Sequence, residues 1–130
     1  MYHKVISYQL ICVGSRVIFF SSSLTSSTTV LPNALVYVSS KGAIEQFTRV
    51  LSKDLASKGI NVNCVSPGPT DTPLFRAGKP EEMIDRIAGQ SPYNRLGTVD
   101  DITGIVAFLA GPEAAWLSGQ NIRVNGASVV

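Results

Sequence analysis

The chain has 130 residues, 45% of them hydrophobic and 15% charged, which suits one folded domain and not a disordered segment. A net charge of +2 without a basic run argues against a nucleic-acid partner, and no stretch is long and apolar enough to suggest a membrane span. Two cysteines, Cys12 and Cys64, make neither a disulfide framework nor a metal motif. His3 is the only histidine, so neither a Ser-His-Asp triad nor a histidine-rich metal site is expected.

Residues 1–15, MYHKVISYQLICVGS, are left unassigned. Val5, Ile6, Leu10, Ile11, Cys12 and Val13 are apolar, but Ser7, Tyr8 and Gln9 interrupt them. Lys4 ahead of this run and the lack of acids before Glu45 have the flavour of a targeting peptide. The run is broken and no A-x-A site follows, so a cytoplasmic protein is expected.

Residues 16–21, RVIFFS, form a continuous apolar run, which predicts a strand buried on both faces, as in parallel sheets. It ends in Ser21, Ser22 and Ser23, and LTSSTTVLPN then reads as a loop. Serines there are ordinary loop residues. Yet the carboxyl end of a parallel strand is where open α/β sheets build their sites.

Residues 33–58, NALVYVSSKGAIEQFTRVLSKDLASK, predict a helix with Asn33 as N-cap and Gly59 just past its end. Ile44, Phe47, Leu51 and Leu55 recur at three and four and mark its apolar face. Tyr37 and Lys41 stand one turn apart on a shared face. An ammonium beside a phenol stabilises phenolate, which equips a tyrosine for general acid or base work. A pair so spaced is usually a plain helix-surface contact, so it gains weight only from what surrounds it.

Residues 59–73, GINVNCVSPGPTDTP, predict a second buried strand through Ile60, Val62, Cys64 and Val65. Pro67-Gly68 ends it, and Pro69 and Pro73 keep the next segment extended. Gly68 permits close backbone approach to a ligand, and Thr70 and Thr72 offer hydroxyls beyond the strand end. An isolated Pro-Gly is otherwise just a rigid turn.

After Pro80, Glu81, Glu82, Met83, Ile84, Ile87 and Ala88 predict a short amphipathic helix. Residues 94–97 read as a connector. Thr98 and Asp101 form a capping box for a helix whose stripe is Ile102, Ile105, Val106 and Leu109, stopped by Gly111-Pro112. Trp116 and Leu117 are assigned to the core, and Gly119-Gln120 leads into a third strand, NIRV. Strand, helix, strand, helix, helix, strand is an α/β layout with a parallel sheet.

Four of these features together resemble the classical short-chain dehydrogenase/reductases. They are Tyr37-x-x-x-Lys41 on a helix; a serine cluster fifteen residues before it at Ser22; Asn63-Cys64-Val65-Ser66-Pro67-Gly68 with Thr72 four residues on; and the closing Arg95-Leu96-Gly97, amphipathic helix and Gly119-Gln-Asn-Ile-Arg-Val strand. The resemblance runs from about residue 14 to 127, and its flavour is that of family members acting on aldehydes or ketones with NADPH. It implies that residues 16–130 are the C-terminal half of a Rossmann-type doubly wound sheet. That half would hold about three strands and flanking helices, without the N-terminal nucleotide-binding half.

By that resemblance Tyr37 is the proton donor or acceptor, and Lys41 stabilises its phenolate and holds the nicotinamide ribose. Ser22 hydrogen-bonds the substrate oxygen, with Ser21 and Ser23 open alternatives. Pro67 and Gly68 line the nicotinamide face, and Thr70 and Thr72 lie near its carboxamide. The implied cofactor is NADP(H) or NAD(H) and the substrate a small carbonyl or alcohol. The family's glycine-rich TGxxxGIG turn, its NNAG-like segment and its relay asparagine have no counterpart among these 130 residues, nor has the residue that selects between NAD and NADP. The alternative is a truncated, non-catalytic form that forms a homodimer, or pairs with full-length relatives, through the 37–58 helix.

Overall fold

The computed structural model describes residues 13–30 and 32–130. The readings made on residues 1–12, Cys12 and His3 among them, lie outside that range. Among the described residues the elements run β1 (Arg16–Phe20), α1 (Leu35–Leu55), β2 (Asn61–Pro67), α2 (Pro73–Arg76), α3 (Glu81–Ala88), α4 (Val99–Ala110) and β3 (Asn121–Val124). The three strands form one parallel sheet in the order β1-β2-β3. Arg16 pairs with Asn61 and Phe20 with Val65, while Cys64 pairs with Asn121 and Pro67 with Val124.

The period of two along each strand divides the core. Val17, Phe19 and Val62 point to the α1 side and pack with Leu51, Leu55 and Ile60. Ile18, Val65, Ile122 and Val124 point to the other side and pack with Ile102, Ile105, Val106 and Leu109 of α4. Helices therefore cover both faces of the sheet, which is the doubly wound arrangement. No helix among the described residues is long and apolar enough to cross a membrane.

Several elements follow the sequence pattern closely. Thr98 Oγ1 accepts from the Asp101 amide at 3.2 Å, and the Asp101 carboxylate takes the Thr98 amide at 2.7 Å, completing the capping box. Gly59 sits at φ 66, a left-handed conformation that glycine adopts without strain, and closes the turn Ala56–Lys58 after α1.

Other expectations are corrected. Asn33 is not the N-cap of α1: it lies within a 3-10 turn, Pro32–Ala34, and Ala34 occupies the cap without a side-chain bond. Phe47 is not on the buried face but 60% exposed. The inward face centres on Thr48, Ser52 and Leu55, and Phe47 lies one residue, about 100°, round from Thr48. Thr48 Oγ1 donates to Ile44 O and Ser52 Oγ to Arg49 O, so these hydroxyls are buried with their hydrogen bonds made. Among the described residues β1 is an edge strand and only partly covered, with Phe20 exposed, rather than buried on both faces. Pro73 does not keep its segment extended: Thr72 caps α2, and proline suits the first helical position. Trp116 is fully exposed, because the turn that buries Ala114 and closes through Leu117 N on Ala114 O leaves Ala115 and Trp116 at its outer corner.

Candidate active site

The residues singled out by sequence gather at the carboxyl edge of the sheet. β1 delivers the serines: the Ser21 amide still donates to Val65 O at 2.8 Å, and the chain then turns through a 3-10 helix, Ser23–Ser26. α1 returns from this edge, which sets Tyr37 and Lys41 on its first turns above the end of β1. Lys41 Nζ donates to the carbonyl of Phe20, the last residue of β1, at 3.0 Å and lies 5.7 Å from the centre of the Tyr37 ring. The expected one-turn pairing is thus formed, and it is joined to the residue directly before the serine cluster. Tyr37 is 48% exposed, and its phenol makes no hydrogen bond to the described residues.

The three serines are all buried but differ in what their hydroxyls do. Ser21 Oγ donates to Glu45 Oε1 at 2.7 Å, with Lys41 O at 3.2 Å. Ser23 Oγ donates to Ser66 O at 3.0 Å. Ser22 Oγ is an acceptor, capping the short turn by taking the Leu24 amide at 3.3 Å. Ser22 alone of the three has a hydroxyl proton not already given to a described residue.

Glu45 was missed in the sequence, although it stands one turn beyond Lys41 on the face shared with Tyr37. Its Oε1 takes Ser21 Oγ and also Thr25 Oγ1 at 2.6 Å. Cys64 lies beneath this network. Burial pushes its thiol above the ordinary range, against the Ser21 backbone bond, and the Glu45 charge adds to the rise. That makes Cys64 a packing residue, not a thiolate.

The strand-end segment behaves partly as expected. Pro67 is the last residue of β2 and Gly68 follows it. A Cβ at Gly68 would come within 2.8 Å of Asn125 Cα, so the lack of a side chain serves the packing of the strand ends against each other. Thr70 Oγ1 donates to Gly68 O at 3.0 Å, and Thr72 Oγ1 accepts from the Phe75 amide at 3.1 Å, which leaves the Thr72 proton available. A cleft of about 290 Å³ opens next to this segment, lined by Pro69, Tyr93, Arg95, Asn125, Gly126 and Ser128 among others. None of its lining residues is one of the candidates. Among the described residues no cluster of three His, Cys, Asp or Glu side chains could hold a metal.

Comparison with known proteins agrees with this architecture. Residues 4–127 match the family model described as Enoyl-(Acyl carrier protein) reductase, a match that begins within the segment left unassigned above. The chain is 42% identical over 116 residues to the NADPH-dependent aldehyde reductase-like protein, chloroplastic, of Arabidopsis thaliana, covering 89% of this chain and 42% of that one. Identity and coverage are the same for a short-chain type dehydrogenase/reductase of Picea abies: 42%, 89% and 42%. Among solved structures, the promiscuous reductase LugOII superposes with a TM-score of 0.84 at 33% identity, over 95% of this chain and 48% of its own. The angucycline C-6 ketoreductase LanV, solved with bound NADP, gives 0.78 at 35% identity, over 88% and 44%. The chain spans about half the length, or less, of the relatives it matches. The parallel sheet clad on both faces, the Tyr37/Lys41 pair and the extent of the family match make the chain a member of the short-chain dehydrogenase/reductase family.

Proposed function

We propose that this chain carries the Ser-Tyr-Lys side of an oxidoreductase site that reduces small carbonyls or oxidises the matching alcohols. The observation that carries the reading is the position of Lys41, bonded to the end of β1 beside the serines and close to the Tyr37 ring. Its donor set fits a nicotinamide riboside. An ammonium has three N–H donors; one goes to Phe20 O, and two remain for the ribose diol. NADP(H) or NAD(H), when bound, supplies or accepts the hydride. Pro67 and Gly68 would line the nicotinamide, with Thr72 offering its free hydroxyl proton to the carboxamide and Thr70 beside it.

The chain's own residues do the proton chemistry. In reduction the Tyr37 phenol gives its proton to the carbonyl oxygen as that oxygen becomes an alkoxide; in oxidation the phenolate takes the alcohol proton. Lys41, with its ammonium 5.7 Å from the centre of the Tyr37 ring, steadies the ribose beside it. The Ser22 hydroxyl donates to the same substrate oxygen and orients it. The names of the relatives, an NADPH-dependent aldehyde reductase-like protein and a ketoreductase with bound NADP, favour a carbonyl substrate and NADP(H).

The test is a titration of the purified chain with NADPH and NADH followed by cofactor fluorescence. Saturable binding at micromolar cofactor is expected. No saturation up to millimolar overturns the reading for this chain. It would favour the second one, a non-catalytic chain that pairs with another copy or a full-length relative through the outer face of α1. That face carries exposed Val36, Phe47 and Val50. Loss of a dimer on Phe47→Ser, measured by sedimentation, would support the pairing.

A further inference from the structure

We infer that Glu45 is a positioning residue that ties the serine turn to the helix carrying Tyr37 and Lys41. The inference rests on the Ser22–Tyr37–Lys41 reading above. One carboxylate oxygen, Glu45 Oε1, accepts the hydroxyls of Ser21 at 2.7 Å and Thr25 at 2.6 Å. These residues lie on either side of Ser22. Thr25 Oγ1 is also 2.8 Å from Ser22 O, and the Thr25 amide donates to that same carbonyl at 3.2 Å. Ser22 is therefore gripped from both flanks by a side chain that belongs to α1.

The arrangement solves a geometric problem. β1 and α1 reach the site as separate elements, with the serine turn and the loop after it between them in the chain. A substrate oxygen needs the Ser22 hydroxyl and the Tyr37 phenol in hydrogen-bond reach together, and small misplacements cost rate steeply. Glu45, Lys41 and Tyr37 follow each other at intervals of four on α1, so a bond from Glu45 to the serine turn fixes that turn against the face that bears the other two. The carboxylate is turned to the hydroxyls, while the Lys41 ammonium bonds Phe20 O. Glu45 thus acts through geometry and not by pairing with Lys41. A charged acceptor shortens and strengthens the two bonds, which tie to α1 a turn that Ser21 N and Ser23 Oγ already anchor to Val65 O and Ser66 O of β2.

The test uses amide hydrogen exchange by NMR on the labelled 130-residue chain. In Glu45→Ala, exchange at Leu24 and Thr25 is expected to rise about tenfold or more, with amides of α4 unchanged. Glu45→Gln, whose amide oxygen can still accept both hydroxyls, should restore most of the protection. Ser21→Ala combined with Thr25→Val should reproduce the Glu45→Ala result, and adding Glu45→Ala to that pair should change nothing further. Unchanged exchange at Leu24 and Thr25, a rise shared by α4, or a Gln variant as loose as the Ala variant would each overturn the inference. Where the wild-type chain turns over, kcat should fall about tenfold in Glu45→Ala with the nicotinamide KM nearly constant, and a rise in KM alone would count against it. A wild-type chain without turnover weighs against the proposed function, while the exchange result still decides the role of Glu45.

Discussion

The two faces of the sheet are built on different principles. The α4 face is an apolar core: Val65, Leu109 and Ala114 are fully or almost fully buried, with Ile18, Ile102, Ile105, Val106 and Ile122 around them. Its helix starts on a reciprocal cap that Arg95 reinforces. The α1 face has a small apolar cluster at the far end of the helix, around Leu55, Ile60 and Val62. Toward the candidate site its buried positions are Thr48 and Ser52, whose hydroxyls bond back to their own helix, the Glu45–Ser21–Thr25 bonds tie it to the serine turn, and α1 starts without a side-chain cap. One face supplies stability, and the other trades apolar burial for the directed hydrogen bonds that a site requires.

Leu109→Ala should break the comparison most forcefully. It empties a wholly buried position, so a loss of about 2–5 kcal/mol is expected in a urea denaturation. Phe47→Ala, on the outer side of α1, should cost the monomer less than about 0.5 kcal/mol. Similar losses at the two positions would mean that Phe47 is covered in solution.

Thr98→Ala comes next. It removes the capping hydroxyl of α4 and should cost about 1 kcal/mol. Because α1 has no such cap at Ala34, a substitution there to another non-capping residue should register far less in the same measurement.

A weaker effect concerns acid. The Arg95 guanidinium, and then the Thr98 amide and hydroxyl, hold the Asp101 carboxyl well below the usual carboxylate range. A depressed folded value adds stability that is present above the unfolded pKa, near 4, and is lost as pH falls toward the folded one. The urea midpoint should therefore drop below about pH 4 more steeply in the wild type than in Asp101→Asn. The pair is exposed, so added salt should shrink the difference. Parallel pH slopes in the two proteins would show that the carboxylate contributes nothing to the cap.

The same contrast explains what the sequence made legible. Apolar periodicity and capping chemistry are local signals, so α4, β2, β3 and the parallel order could be read directly. Tyr37 and Lys41 were legible because four residues on a helix fix their relation wherever the helix goes. Phe47 and Trp116 misled because hydrophobicity alone does not say which side of an element the sheet will cover. Thr48 and Ser52 bury their hydroxyls by bonding back to the helix, a choice that composition does not reveal. Glu45 escaped notice because its partners are 20 and 24 residues away, brought near only when α1 folds back over β1.

The smallest expected effect on stability belongs to the residue at the centre of the proposed chemistry. Tyr37→Phe deletes one oxygen from a half-exposed ring whose phenol bonds none of the described residues, so unfolding should shift by less than about 0.5 kcal/mol. Any carbonyl or alcohol turnover should nevertheless vanish, because the proposed chemistry passes its proton through the Tyr37 phenol. Loss of activity with unchanged stability would set Tyr37 on the functional face of the comparison. A destabilisation of about 1–2 kcal/mol would instead make its hydroxyl a structural partner in solution and move the whole α1 face toward the other principle.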